Sequence, residues 1–204
     1  MKARDLHRFF EELDRQLNCP VEVILTGGAA AILQGVERAT FDIDFEVKLK
    51  APKKGPGMGW EMVQRAIDDT ARITGITPEY DEDIDRWSSI TLPGKKSKRY
   101  RTFGKVQVRI LDPRLWAIGK LSRYLSSDIE DLRTVLRLAR VKPDAVKLWG
   151  KALGSSPASS AQSGFRKQVE AFLDQYAQEI WGLRIDAEKL KRTFLKSAQE
   201  SRRP

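Results

Sequence analysis

The sequence predicts an α+β fold, in which a mixed β-sheet with flanking helices precedes a helical C-terminal part. Alternating and β-branched runs typical of strands lie before residue 112, and helical stretches separate them. From residue 113 onward, apolar residues recur at helical spacing in four or five segments. We therefore expect a core over residues 1–112 and a helical part over residues 113–204, in a chain long enough to bury a hydrophobic core.

The predicted helices of the core have apolar stripes or helix-forming runs, and its strands alternate or are rich in β-branched residues. In chain order, the predicted elements are a helix over residues 3–18, a strand over 21–26, a helix over 29–34, a strand over 40–47, a helix over 61–74, and strands over 90–93 and 106–111. Two cationic segments, residues 48–59 and 95–101, have the composition of a loop and of a hairpin or loop.

The helical part begins with a strong start signal, because Asp112 is a suitable N-cap and Pro113 suits the first helical position. A second helix is predicted from Ser127, where Ser-x-x-Glu has the form of a capping box. Small and polar residues over 154–164 predict a loop or linker. The expected helices cover residues 113–124, 127–138, a short segment ending at 153, 165–182 and 186–199.

Composition excludes several classes of protein. No apolar run approaches the 18 residues of a membrane span, and the N-terminus leads into an amphipathic helix, so no membrane partner is expected. The single cysteine and single histidine exclude a disulfide framework and a zinc site of the usual ligands, which favours a cytoplasmic location. A formal charge of +9 favours a polyanionic partner such as nucleic acid, although a solvated basic surface is the alternative.

The stretch around Gly27 and Asp42 has the residue types for phosphate and metal binding. Gly27-Gly28, between a strand and a helix, would leave backbone N–H groups and a positive helix end facing a phosphate. Asp42 and Asp44 lie two residues apart on a predicted strand, so both point to one face, about 7 Å apart. Such a carboxylate pair can hold one or two hard divalent cations.

These residues resemble the signature of the nucleotidyltransferase (DNA polymerase β-like) superfamily, in which Gly-Gly and a helical spacer precede Asp-x-Asp. The fuller pattern Arg38-x-Thr40-x-Asp42-Ile43-Asp44 is similar to that of AbiEii-like and MenT-like toxins and related uncharacterised nucleotidyltransferase-like domains. The resemblance implies a nucleotidyltransferase-type sheet core, Mg²⁺ or Mn²⁺ at Asp42 and Asp44, and a nucleoside triphosphate bound at Gly27, Gly28, Arg38 and Thr40.

A second segment is similar to the same branch. Lys120-Leu121-Ser122-Arg123 precedes Asp128 and Asp131, and the relatives count the lysine and the first aspartate of this segment among their active-site residues. By position, these are Lys120 and Asp128. The alternative is a solvated lysine and an aspartate that caps a helix N-terminus.

The chain also departs from the superfamily, many of whose members have a third carboxylate on a later core strand. The strand over residues 106–111 offers Gln107 and Arg109 on its polar face and no acid. Glu46, which continues the Asp42 and Asp44 face, and Asp112, which ends the later strand, are the candidates to replace it.

The leading hypothesis is a magnesium-dependent nucleotidyltransferase that transfers a nucleoside monophosphate from a nucleoside triphosphate to RNA. The cationic segments and Tyr100, available to stack a base, favour RNA. The resemblance implies a tRNA 3′ end as acceptor, a toxin–antitoxin setting and a cognate antitoxin. One alternative is a catalytically degenerate fold that binds RNA or a partner protein. Another is transfer to a small molecule such as an aminoglycoside, for which the acidic run 81–85 could line the cleft.

Overall fold

The computed structural model describes residues 1–37, 39–49, 59–87 and 89–202, and it confirms the α+β class. The chain divides into two compact units. The first comprises Met1–Leu33, Glu37–Ile84 and Ser97–Leu111, and the second comprises Gln34–Val36, Asp85–Lys96 and Asp112–Pro204. The first contains the sheet, and the second is mainly helical.

The first unit has three helices and five strands among its described residues. In chain order they are α1 (Ala3–Gln16), β1 (Val21–Leu25), α2 (Gly27–Leu33), β2 (Asp42–Leu49), α3 (Trp60–Thr74), β3 (Thr77–Asp81), β4 (Ser97–Phe103) and β5 (Val106–Leu111). The strand order is β3-β2-β1-β5-β4, with β1 antiparallel to β2 and parallel to β5. β3 runs parallel to β2, and β4 runs antiparallel to β5. The sheet is therefore mixed, as predicted.

The register gives the sheet two chemically different faces, because residues paired across neighbouring strands point to the same side. We call one the helix face: Phe10 of α1 packs there against Phe45 and Phe103, at ring distances of 6.2 and 5.9 Å. Alternate residues form the carboxylate face, which carries Asp42, Asp44, Glu46 and Lys48 on β2 and Glu79 on β3. It continues through Ile24 on β1, Gln107 and Arg109 on β5, and Arg99 and Thr102 on β4.

The second unit contains five helices in the described part of the chain, and a 3₁₀ turn (Ile84–Trp87) spans the boundary between the units. The helices are α4 (Pro113–Arg123), α5 (Ser126–Leu138), α6 (Ala145–Ser155), α7 (Ser160–Trp181) and α8 (Ala187–Glu200). Fully buried aromatic rings fill this unit: Trp149 lies 6.4 Å from Phe172, and Phe165 lies 6.4 Å from Phe194. The Asp112 carboxylate accepts from the Arg114 N–H, which confirms the predicted N-cap of α4.

Of the two predictions around residue 95, the strand over residues 90–93 was wrong and the hairpin was confirmed. Residues 90–93 form no regular strand; their alternation reflects burial of Ile90 and Leu92 in an irregular segment. That segment is held by side chains, since the Thr91 N–H donates to Ser156 Oγ at 2.9 Å. Of the two alternatives for residues 95–101, the hairpin is present: residues 97–103 form edge strand β4, which pairs antiparallel with β5 without buried alternation.

In the helical part, one prediction was too long and one was wrong. The loop or linker predicted over residues 154–164 is only a short loop over residues 156–159: α6 continues to Ser155 and α7 begins at Ser160, where Ser159 caps it by accepting from the Gln162 N–H. The Gln162 side chain also donates to the carbonyls of Leu153 and Ser156, which ties the two helix ends together. The capping box at Ser127 is absent, because α5 begins one residue earlier with Leu125 at its N-cap.

Candidate functional site

Three carboxylates meet on the carboxylate face of the first unit. Asp42 and Asp44 project from β2, and the parallel register sets Glu79 of β3 beside Asp44. One oxygen from each residue lies within 4.8 Å of the others, with the two aspartates half-buried and the glutamate exposed. The strands over 21–26 and 40–47 are neighbours, as predicted, and this places the Asp42 and Asp44 pair at the start of β2, next to the start of α2.

Glycine at position 27 is required by the Asp44 carboxylate. Gly27 has φ +55°, and a β-carbon on it would collide with the carboxylate group of Asp44. The Thr26 N–H donates to the Asp44 carbonyl at 3.0 Å, which fixes the two chain segments against each other. The Gly27-Gly28 turn therefore lies directly against Asp44, and Gly28 is buried inside α2.

The approach to β2 contains the other predicted substrate-binding residues. Thr40 is buried, and its hydroxyl donates to Asp42 Oδ1 at 2.8 Å, so it orients this carboxylate. Arg38 lies outside the described residues, as do Lys50, Lys53 and Lys54 of the cationic segment. The predicted binding of substrate by Thr40, Gly27 and Gly28 stays a prediction.

The donor set of this cluster fits a hard divalent cation. All three side chains offer carboxylate oxygens, the ligands preferred by Mg²⁺ and Mn²⁺, from two adjacent strands. Three carboxylates this close repel one another when ionised, and a bound cation relieves that repulsion. The chemistry and the spacing of these donors therefore suit a bound cation, whichever cation it is.

The two candidates for a third carboxylate are occupied elsewhere. Glu46 is fully buried, accepts from the Ile84 N–H at 2.9 Å and pairs with Lys48 at 3.1 Å. Asp112 caps α4 and receives the Arg114 guanidinium at 2.8 and 2.9 Å. Burial opposes ionisation of Asp112, but the hydrogen bonds from Arg114 outweigh it, so the pKa of Asp112 lies below its usual value. The group of three contains Glu79 instead.

Sequence reasoning missed Glu79 because its role depends on strand register. Glu79 lies in a five-residue strand whose exposed and half-buried residues give no strong alternation. Glu79 lies beside Asp44 because β2 and β3 are parallel neighbours in the sheet. A local sequence pattern does not indicate which strands are neighbours. The only indication in the sequence was that acidic residues recur at every second position around Glu79 and Asp81, as on one face of a strand.

Lys120 and Asp128 form a buried ionic cluster in the second unit. The Lys120 ammonium is 2% exposed, donates to Asp128 and Asp131 at 2.7 and 2.8 Å, and lies 5.5 Å from the Trp116 ring centre. Arg123 donates to Asp128 at 2.8 Å. Asp128 thus faces inward from the first turn of α5 and the lysine is not solvated, so the alternative of a surface lysine beside a capping aspartate is wrong.

The surroundings of Asp128 favour its ionised form. Burial is the largest single influence on Asp128 and disfavours its ionised form, but hydrogen bonds from Arg123 and Lys120 together outweigh it. The pKa of Asp128 therefore lies below its usual value. The predicted pairing of Asp128 with Lys120 is present, and their catalytic roles stay predictions.

Comparison of the chain with protein-family models, curated proteins and solved structures gives no match. Among the described residues, no helix combines the length and the apolar character needed to cross a membrane. The resemblance to nucleotidyltransferases therefore remains an expectation, carried by the motif residues and by the chemistry of the carboxylate cluster.

Proposed function

We propose that this protein is a divalent-metal-dependent nucleotidyltransferase. The observation that carries the proposal is the convergence of Asp42, Asp44 and Glu79 within 4.8 Å, directly beside a glycine turn at the start of a helix. Carboxylates for a cation next to backbone N–H groups for phosphates are the two parts that phosphoryl transfer needs. The motif resemblance then specifies nucleotidyl transfer within this broader class.

In the proposed reaction, the acceptor hydroxyl oxygen bonds to the α-phosphorus of a nucleoside triphosphate, the bond from that phosphorus to the β-phosphate bridging oxygen breaks, and pyrophosphate leaves. The chemistry supplied by a bound Mg²⁺ or Mn²⁺ is charge neutralisation on the phosphates. Thr40 holds Asp42 in position, and the Gly27-Gly28 turn, with Arg38, binds the triphosphate. The hydroxyl proton passes to a carboxylate or to water.

Lys120 and Asp128 enter the proposal through the resemblance alone, which counts the corresponding residues of the relatives among their active-site residues. Their burial adds a condition to any test, because removing either side chain leaves an unpaired buried charge. Transfer by Lys120 or Asp128 variants is therefore informative only at temperatures where circular dichroism shows them folded.

We further propose RNA, and specifically a tRNA 3′ end, as the acceptor, within a toxin–antitoxin pair whose antitoxin binds this chain. The formal charge of +9 supports a polyanionic acceptor, and the resemblance supports the tRNA end and the antitoxin. A small cationic acceptor such as an aminoglycoside would not benefit from this charge.

The test is incubation with each labelled nucleoside triphosphate, Mg²⁺ and total RNA, followed by electrophoresis. We expect label in RNA with at least one nucleotide, and loss of label for Asp42→Asn and Asp44→Asn. Glu61→Gln, which removes an exposed charge from α3, is the matched control and should keep transfer. Wild-type protein that binds Mn²⁺ and RNA but transfers no nucleotide would instead establish the catalytically degenerate alternative.

A further inference from the structure

Two arginines lie on the carboxylate face, on β5 and β4, the two strands farthest in the sheet from the acidic cluster. Arg99 of β4 is the direct cross-strand partner of Arg109 of β5. Among the described residues, no carboxylate lies within ion-pair distance of either one. Arg99 donates to the Thr102 hydroxyl at 2.9 Å, and Arg109 donates to the hydroxyl and carbonyl of Ser97 at 2.8 and 2.6 Å.

The two guanidinium groups extend in opposite directions along β4, Arg109 toward Ser97 and Arg99 toward Thr102. Each is held there by neutral oxygens, which orient the guanidinium without neutralising its charge. The Ser97 contacts fix the Arg109 guanidinium in place rather than leaving it free to move into solvent. A phosphate beside either guanidinium would form charge-assisted hydrogen bonds with it.

A pocket of about 240 Å³ adjoins Arg99 on the same face. Its polar lining comes from Arg99, Thr102, Lys105 and Gln107, all of them able to donate hydrogen bonds. Lys105 pairs with Asp14 at 3.2 Å, and Glu22 is the register partner of Gln107, so some negative charge lies nearby. Arginine, lysine, hydroxyl and amide donors together are the set that contacts phosphate and sugar in nucleic acids.

We propose that this surface, defined by Arg99, Thr102, Lys105, Gln107 and Arg109 and here named the β4–β5 cationic surface, binds the phosphodiester backbone of a single-stranded RNA. That this RNA is the acceptor of nucleotidyl transfer rests on the proposed function, whereas the binding of RNA to the surface does not. Arg109 and Arg99 lie two and three strands from β2, roughly 10 and 15 Å across the sheet at the usual strand spacing. A few nucleotides of extended strand cover that distance to the carboxylates.

The other cations of β4 do not belong to this surface. Lys98 and Arg101 pair in register with Ile110 and Val108, so they point to the helix face. Tyr100, expected from the sequence to stack a base, also lies on that side, where its hydroxyl is 2.7 Å from His7 Nε2 of α1. Arg101 is therefore a matched control for Arg99: same strand, same charge, opposite face.

The experiment measures the fluorescence anisotropy of a short fluorescein-labelled single-stranded RNA, titrated with the full chain in the absence of metal and nucleotide. We expect Arg99→Gln and Arg109→Gln to weaken binding by about tenfold each and to reduce the slope of log affinity against log salt by about 1. Arg101→Gln should bind within about twofold of wild type. Melting temperatures confirm that each variant is folded.

Equal weakening by Arg101→Gln and Arg99→Gln would overturn the proposal, because binding would then follow net charge rather than this surface. Displacement of the RNA by polyglutamate or by duplex RNA at the same concentration as by unlabelled single strand would also overturn it.

The two proposals can fail separately. Loss of RNA binding in Arg99→Gln, with no nucleotide transfer by wild type, supports the surface and rejects the enzyme. Transfer by wild type, with an unchanged KM for RNA in Arg99→Gln, rejects the surface and keeps the enzyme.

Discussion

At the scale of single residues, the contact between Gly27 and Asp44 links backbone geometry to the candidate metal site. An alanine at position 27 would be strained at φ +55° and would push against the Asp44 carboxylate. We expect Gly27→Ala to lose Mn²⁺ binding, measured by calorimetry. Gly75→Ala is the matched control, because Gly75 has φ +69° but no atom within 4 Å of an added β-carbon. It should lose about 1 kcal/mol of stability and keep the metal.

The three carboxylates should contribute to metal affinity together. Asp42→Asn and Asp44→Asn each remove a charged oxygen donor from β2, and Glu79→Gln removes the neighbouring one from β3. Calorimetric titration with Mn²⁺ should show weaker binding for all three variants, by about tenfold or more each. Wild-type affinity in Glu79→Gln alone would exclude Glu79 from the site and leave the two aspartates.

Asp128 should make folding stability depend on pH in the acid range. Its folded pKa lies below the usual 3.8, so the ionised carboxylate stabilises the fold above about pH 4, and that stabilisation is lost as pH falls through the folded pKa. Asp128→Asn should cost roughly 3–5 kcal/mol near neutral pH. Urea unfolding at a series of pH values should show the gap from wild type closing below pH 4.

The control for Asp128 is an exposed ion pair. Glu170 accepts from Arg166 one helical turn away on α7, with the arginine 54% exposed. Glu170→Gln should therefore change stability by less than about 1 kcal/mol at any pH. A comparable loss of stability in both variants would mean that the buried Lys120 cluster stabilises the fold no more than an exposed ion pair does.

At the scale of secondary-structure elements, α6 and α8 approach closely through glycines. A β-carbon on Gly150 would lie 2.8 Å from Ser197 Cβ and collide with the Phe194 carbonyl, and Gly154 meets Ala198 and Ser201 in the same way. These contacts leave no room for a methyl group. Little in the sequence indicates this close packing, since glycine within a helix usually lowers the stability of the helix.

Alanine substitutions should therefore have opposite effects at two helical glycines. Gly150→Ala forces α6 and α8 apart and should destabilise by about 1–3 kcal/mol. Gly164 in α7 has open space around an added β-carbon, so Gly164→Ala should stabilise by about 0.5–1 kcal/mol through helix propensity. Chemical denaturation of both variants tests the difference, and a stabilised Gly150→Ala would contradict the close contact.

The same scale shows why some elements were predictable. The stripe of Leu6, Phe9 and Phe10 identified α1, and the Asp112-Pro113 signal identified the start of α4, because both signals are local. The prediction of a strand over residues 90–93 was wrong, since burial of Ile90 and Leu92 produces an alternating pattern without a strand. The composition of residues 95–101 left a hairpin and a loop as alternatives, because the pairing of β4 depends on β5.

At the scale of the whole molecule, the sequence predicted the α+β class, and it predicted the contact of the Gly27 turn with Asp44 through a motif of nearby residues. It could not predict contacts that depend on sheet order, such as Glu79 beside Asp44 or Arg99 opposite Arg109. Nor could it show that Lys120 is buried, since lysine is usually exposed and only the pairing with Asp128 and Asp131 permits otherwise.

The central position of β1 has a consequence for how the first unit folds. β1 pairs on one side with β2, its near neighbour in sequence, and on the other with β5, so that Val21 meets Val106. During synthesis, one edge of β1 would stay unpaired until β5 has emerged from the ribosome. Non-local pairing of this kind slows folding and exposes an edge to aggregation. We expect a fragment ending before β4 to be recovered mainly in inclusion bodies, and to be rescued when a peptide of residues 95–112 is supplied.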